Sequence, residues 1–205
     1  MANSTLEKTN ELIELMRNSY ISVAHFLIHI AIAVVPVFIL VLPQYSKSGE
    51  AFHLIALTVV LYTNSYGYSG LLIAKGKEKR LGSLSFIAFI INVLSVLILV
   101  EMFKVPFTYV ILGTMFSYFI YVFMVGKMGR NEIKLDCGIY SVIKDIFPLR
   151  LAIPFILSLL LSLFSFSTVF LLIPVVLYSI LNFKTIIGLK PLVKTMILNS
   201  KVIDI

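Results

Sequence analysis

Leu71-Leu72-Ile73-Ala74-Lys75-Gly76-Lys77-Glu78-Lys79-Arg80 decides how this chain is arranged. An apolar run ends, four basic residues follow, and a second apolar run opens near Leu84. Basic loops of this kind stay on the cytoplasmic face during membrane insertion. The signature recurs at alternate loops. Lys8 and Arg17 precede the first apolar run. Lys127, Arg130, Lys134, Lys144 and Arg150 follow the fourth, and Lys184, Lys190, Lys194 and Lys201 follow the last. Only Lys47 and Lys104 fall in the loops between, so 15 of the 17 basic residues lie on one side. Both termini are therefore expected in the cytoplasm, with an even number of crossings.

Composition agrees. The chain is 60% apolar and only 13% charged, with a mean hydropathy of +1.03. A soluble domain carries about 25% charged residues. The expected class is an all-α integral membrane protein. The net charge of +7 reads as loop anchors for anionic headgroups, with membrane lipids and not nucleic acid as partner. The single cysteine, Cys137, forms no disulfide within the chain. No small-x-small pattern after the first apolar run marks a cleavable signal.

A helix needs ~20 apolar residues to cross ~30 Å of hydrocarbon. Six spans are expected, over residues 20–41, 51–74, 84–100, 106–125, 149–164 and 168–183. Residues 1–19 read as an amphipathic helix on the membrane surface. Ser4 and Glu7 fit a capping box, and Leu12, Ile13 and Met16 share a face. In the longest loop, Ile139, Val142, Ile143 and Ile146 recur at helical spacing before Pro148, suggesting a second interfacial helix. Leu151 to Phe183 carries no charge, and as one helix of 33 residues would reach about 50 Å. A turn near Ser165–Thr168 divides it. Residues 184–205 form a basic cytoplasmic tail.

Apart from Arg150 at the cytoplasmic start of the fifth, no Asp, Glu, Lys or Arg lies inside any of these spans. A charge at mid-bilayer costs roughly 2.5–3.5 kcal/mol on insertion scales, so one is kept only for a task. No carboxylate proton relay, HExxH, Walker A loop or GxSxG elbow is present. No catalytic residues, no metal site and no cofactor are expected.

The polar residues within spans are few. His25 and His29, four apart, share one face of the first helix. They could hydrogen-bond between helices or line a wet cavity; a metal would need further ligands. Tyr62-Thr63-Asn64-Ser65-Tyr66-Gly67-Tyr68-Ser69-Gly70 is the most polar run in any span. It reads either as packing between close helices or as a wall for sugar hydroxyls. Asn92 stands alone in the third span, a residue type that commonly bonds between helices. Pro36 bends the first span and is the candidate hinge. His53 is expected to be solvated at the outer end of the second span.

Gly70-Leu71-Leu72-Ile73-Ala74-Lys75-Gly76-Lys77-Glu78-Lys79 resembles the helix end and G-K-x-K loop of Wzx-type polysaccharide flippases, relatives of the MATE transporters. The resemblance continues through Ile90-Ile91-Asn92. It includes Pro106-Phe107-Thr108-Tyr109-Val110-Ile111-Leu112-Gly113-Thr114-Met115-Phe116-Ser117-Tyr118, similar to that family's tenth helix. It extends from about Glu11 to Phe183. Val100-Glu101-Met102-Phe103-Lys104-Val105 departs from the family's Gly-rich turn.

The resemblance implies half of a twelve-helix MATE-like bundle, completed by a second six-helix half or by a homodimer. It implies translocation of polyprenyl-diphosphate-linked oligosaccharide by alternating access, in a bacterial or archaeal inner membrane. His25, His29, Tyr62, Asn64, Tyr66 and Asn92 would line the cavity. The alternatives are a non-transporting fragment of a flippase gene and a membrane scaffold or assembly factor.

Overall fold

A computed structural model describes residues 2–164 and 168–188. Among these residues the chain is helical and has no strand. The long helices are α1 (Ala2–Val41), α2 (Gly49–Thr63), α3 (Tyr68–Ala74) and α4 (Glu78–Leu97). They are followed by α5 (Ile111–Glu132), α6 (Ile139–Ile146), α7 (Leu149–Leu163) and α8 (Leu172–Leu181). Short 3-10 turns at Pro43–Ser48, Phe107–Val110 and Thr168–Leu171 join some of them, and a π turn at Ile98–Met102 extends α4.

Three stretches are long and apolar enough to cross a membrane: Ile13–Val41, Glu78–Met102 and Phe107–Glu132. A fourth is reached if α6 and α7, bent by 72°, count as one. By length alone, the six expected spans are therefore three or four. The difference lies in the short helices, and each has a cause.

The expected surface helix at 1–19 is not a separate element, because α1 runs unbroken from Ala2 to Val41. No glycine or proline interrupts the chain before Pro36, and Pro36 itself lies inside the helix. At ~1.5 Å per residue α1 is about 60 Å long, more than a bilayer needs. The Ser4–Glu7 capping box, Leu12 and Met16 lie outside the described side chains.

The expected continuous span at 51–74 is broken. Thr63 Oγ1 donates to the Val60 carbonyl at 2.6 Å, and Ser65 Oγ donates to that of Tyr62 at 3.0 Å. Such side-chain bonds compete with the helical ladder. Gly67 then turns the backbone into the left-handed region at φ +83°. Glycine is required there twice over, since a Cβ would also fall on Arg17 Cγ.

The other boundaries shift less. α4 begins at Glu78 rather than at residue 84, and α5 runs to Glu132 rather than to residue 125. α6 forms over the expected residues and buries Val142 and Ile146 against Gly126 of α5. Most of the turn near Ser165–Thr168 lies outside the described residues, as does the tail from residue 189. On either side of it, α7 and α8 run as a hairpin. Asn182 Nδ2 donates to the Arg150 carbonyl at 3.1 Å, and Arg150 Nη1 donates to Thr185 at 3.2 Å.

These contacts gather the basic segments at one end of the bundle. Lys75 Nζ donates to the Glu132 carbonyl at 2.7 Å, and Lys77 pairs with the Glu132 carboxylate. Arg150 Nη2 reaches Asn18 at 2.8 Å. The core has two main parts. Near the basic end, Tyr68, Leu72, Val122, Val125, Val142 and Ile146 pack together. Farther along, Ile32, Leu57, Val60, Met115, Phe155 and Leu161 form the second.

Candidate functional site

The six candidate cavity residues fall in three places. The first is a buried polar knot among α1, α7, α8 and the α2–α3 turn. His25 Nε2 donates to Asn64 Oδ1 at 2.9 Å. His29 Nδ1 shares a hydrogen bond with Ser158 Oγ at 3.0 Å. Tyr178 packs against both rings, with centroids 6.3 Å from His25 and 5.6 Å from His29. Its hydroxyl donates to the Ser22 carbonyl at 2.7 Å. His25, His29 and Asn64 are all buried. Each keeps one nitrogen, His25 Nδ1, His29 Nε2 and Asn64 Nδ2, without a hydrogen-bond partner. The geometry is that of interhelical bonding rather than of an open wall.

The second place is a groove of about 300 Å3 between α2, α4 and α5, lined by Tyr62, Ser85, Asn92, Ser117, Tyr118 and Tyr121. Tyr62 lies 5.3 Å from Tyr118 and 5.6 Å from Tyr121, stacked on the latter at 14°. Thr114 Oγ1 donates to Asn92 Oδ1 at 3.1 Å, which ties α5 to α4. Counting at ~1.5 Å per residue from the basic end, Ser85 to Asn92 lie roughly 10–21 Å along α4. Hydroxyls, one amide and three phenol rings thus share a lateral opening well inside the bundle's length. Tyr118, Tyr121, Ser85 and Ser117 were not singled out from the sequence. Their signal is the i, i+3 spacing of Tyr118 and Tyr121, which puts two rings on one helical face.

The third place is a stacked pair. Tyr66 faces Tyr20 of α1 with ring centroids 3.8 Å apart. Both rings are partly exposed. The helix break at Asn64–Gly67 is what separates Tyr62 from Tyr66, which an unbroken helix would keep on one face. The hinge candidate Pro36 lines a further cavity of about 440 Å3 at the end bearing Lys47, with Leu40, Ser46, Glu50, His53 and Ser162. His53, expected to be solvated, is only 8% exposed.

An ionic cluster at the basic end was also not anticipated. Arg17 Nη1 donates to Asp145 Oδ1 at 2.7 Å, and Arg130 Nη1 donates to Asp145 Oδ2 at 2.8 Å. The Tyr68 hydroxyl donates to the same Oδ2. The Arg17 guanidinium also stacks 4.2 Å above the Tyr68 ring. Burial pushes the Asp145 carboxyl up, but the Arg17 charge and the hydrogen bonds from Tyr68, Arg17 and Arg130 outweigh it and hold it below its ordinary value. Arg17 is 5% exposed, too deep for a headgroup anchor. The sequence clue was local: Asp145 sits beside Ile146 on an otherwise apolar helical face.

Among the described residues no group of three His, Cys, Asp or Glu side chains converges to hold a metal. Comparison with protein-family models, curated proteins and solved structures finds no match.

Proposed function

We propose that the chain is a six-span half of a carrier for polyprenyl-diphosphate-linked oligosaccharide, working by alternating access in a bacterial or archaeal inner membrane. In this reading both termini face the cytoplasm, and the basic end of the bundle is the cytoplasmic end. α2 with α3, α7 and α8 serve as short spans, which tilt or local thinning accommodates. A second six-helix half, or a second copy, supplies the opposite wall.

The observation that carries the reading is the tyrosine groove. Polar groups facing sideways at that depth would be costly against hydrocarbon alone. Ser85, Asn92 and Ser117 already bond within α4 and α5, so a hydroxyl-rich headgroup moving past would take up their remaining hydrogen-bonding capacity, and the phenol faces suit a sugar ring. Tyr62 and Asn92 therefore keep the lining role, with Tyr118 and Tyr121 added. The partly exposed Tyr66 pairs with Tyr20 nearer the basic end. His25, His29 and Asn64 hold helices together instead.

The test is rescue of surface polysaccharide in a flippase-deficient cell, with and without a supplied N-terminal half. Export restored by the native chain, and reduced at least tenfold by Tyr62→Ala with Asn92→Ala at equal membrane levels, supports transport. No rescue under either condition sinks it and favours the non-transporting fragment. The buried histidine knot favours one further role, a membrane scaffold. In that case the groove substitutions leave assembly of the polysaccharide machinery intact.

A further inference from the structure

A second groove opens between α4 and α5, nearer the basic end than the tyrosine groove. It holds about 360 Å3 and is lined by Leu84, Met124, Lys127, Met128, Asn131 and Cys137. The α5 residues Met124, Lys127, Met128 and Asn131 stand at i, i+3, i+4 and i+7, so they form one stripe on a single helical face. α6 packs at Gly126, on the other side of α5, and leaves that stripe open. Leu84, Met124 and Met128 are half-buried, whereas Lys127 and Asn131 are exposed. Met124 and Asn131 are about 10 Å apart along the helix, at ~1.5 Å per residue. That length matches a headgroup layer of roughly 5–8 Å together with the first carbons beneath it.

The polar groups of this groove are not engaged by the protein. Lys127 and the Asn131 side chain have no hydrogen-bond or ion-pair partner among the described residues. Arg17, Lys75, Lys77, Arg130 and Arg150 each have one. Two carboxylates neighbour groove residues in the chain, and both are occupied elsewhere. Glu132 pairs with Lys75 and Lys77. Asp136 accepts the Ser141 hydroxyl and the Gly138 N–H. Arg80 stands one turn before Leu84 on the same face of α4, which adds a second cation on the basic side.

We propose that this groove binds one anionic phospholipid of the surrounding bilayer. Lys127 and Asn131, with Arg80 nearby, hold the phosphate, and the first part of an acyl chain lies over Leu84, Met124 and Met128. An ammonium and an amide N–H both donate to phosphate oxygen, the ammonium with charge assistance. Methionine side chains adapt to a chain of variable shape. A free phosphate would meet the cations but leave the apolar floor bare. A zwitterionic lipid would cover the floor but bring a cation of its own toward Lys127. Basic pockets between membrane helices bind anionic headgroups on these terms. The site goes beyond the transport reading. It needs only that α4 and α5 cross a bilayer, and it is read by lipid binding rather than by export.

The experiment uses the full chain in non-ionic detergent micelles with about 0.15 M salt, where charges more than ~8 Å apart are screened. Native mass spectrometry counts the phospholipid retained, with phosphatidylglycerol compared to phosphatidylcholine. One phosphatidylglycerol should be retained per chain, with an affinity about tenfold or more above that for phosphatidylcholine. Lys127→Gln should remove most of that preference. Lys144→Gln, on α6 at the other side of α5, should leave it. Met124→Trp fills the floor without changing charge and should also weaken retention; Leu84→Phe does the same from the facing helix. Circular dichroism confirms helicity in each variant. Glycerol phosphate, which has the headgroup without the chains, should not displace the lipid. Equal retention of the two lipids overturns the proposal, as do equal effects of Lys127→Gln and Lys144→Gln. Full retention in both floor variants, or displacement by glycerol phosphate, overturns it as well.

Discussion

Arg17 and Asp145, 128 positions apart in the chain, meet side chain to side chain at 2.7 Å. That pair closes the chain on itself, with α6 laid back across the start of α1. Tyr68 and Arg130 complete the cluster from α3 and α5. Four separate elements are therefore fastened by one carboxylate.

Removing that carboxylate should be more damaging than removing the whole pair. Asp145→Ala leaves the buried Arg17 charge uncompensated, an effect of about 3 kcal/mol or more. Arg17→Met with Asp145→Leu should recover most of the loss. Reversible unfolding in mixed detergent reads both. Equal destabilisation by the single and double variants would remove the cluster's assigned role.

Acid should loosen the same fastening. An aspartate ordinarily titrates near ~3.9, and Asp145 is held lower in the folded chain. The unfolded chain therefore takes up its proton first as pH falls. The stabilisation is complete above about pH 4 and is lost as pH drops through the folded value. Unfolding curves from pH 7 downward should show an acid-dependent component that Asp145→Asn lacks.

Glycine substitutions three positions apart should diverge. Gly67→Ala places a Cβ on Arg17 and forces a positive φ, a cost of roughly 1–3 kcal/mol for the backbone alone. Gly70→Ala meets nothing within 4 Å and sits inside α3, where alanine is favoured by up to about 1 kcal/mol. Thermal melts in detergent should separate the two in sign.

Topology can be read with thiol chemistry. Cys137 is the only cysteine and is partly exposed, so in intact cells it should resist an impermeant maleimide and react after permeabilisation. Ser46→Cys, in a Cys137→Ser background, should react in intact cells. The reverse pattern would place the basic end outside.

Much of the architecture was legible in the primary structure because charge and apolar length act locally. The basic residues Arg17, Lys75, Lys77, Arg130 and Arg150 do collect at one end, as their alternation along the chain implied. Ile139 to Ile146 forms the short amphipathic helix that its spacing suggested. What could not be read was the outcome of competition between nearby signals. Thr63, Ser65 and Gly67 were read as part of one polar run within a continuous span, but their side-chain bonds and backbone freedom ended the helix instead. One continuous helix would have kept Tyr62 and Tyr66, four apart, on one face; the break puts them in different settings. His53 was taken for a wet residue because nothing in its own neighbourhood announced the residues of α1 and α7, Pro36, Leu40 and Leu161, that lie around it.

The interruption at Asn64–Gly67 also sorts the molecule mechanically. α2 belongs to the packing around Ile32, Phe155 and Leu161, while α3 belongs to that around Val122, Val142 and Ile146. Of the elements between them, α5 runs through both, with Met115 in one and Val125 in the other. The protein is built as two storeys around a shared spine. A disturbance on one floor reaches the other chiefly by shifting that spine.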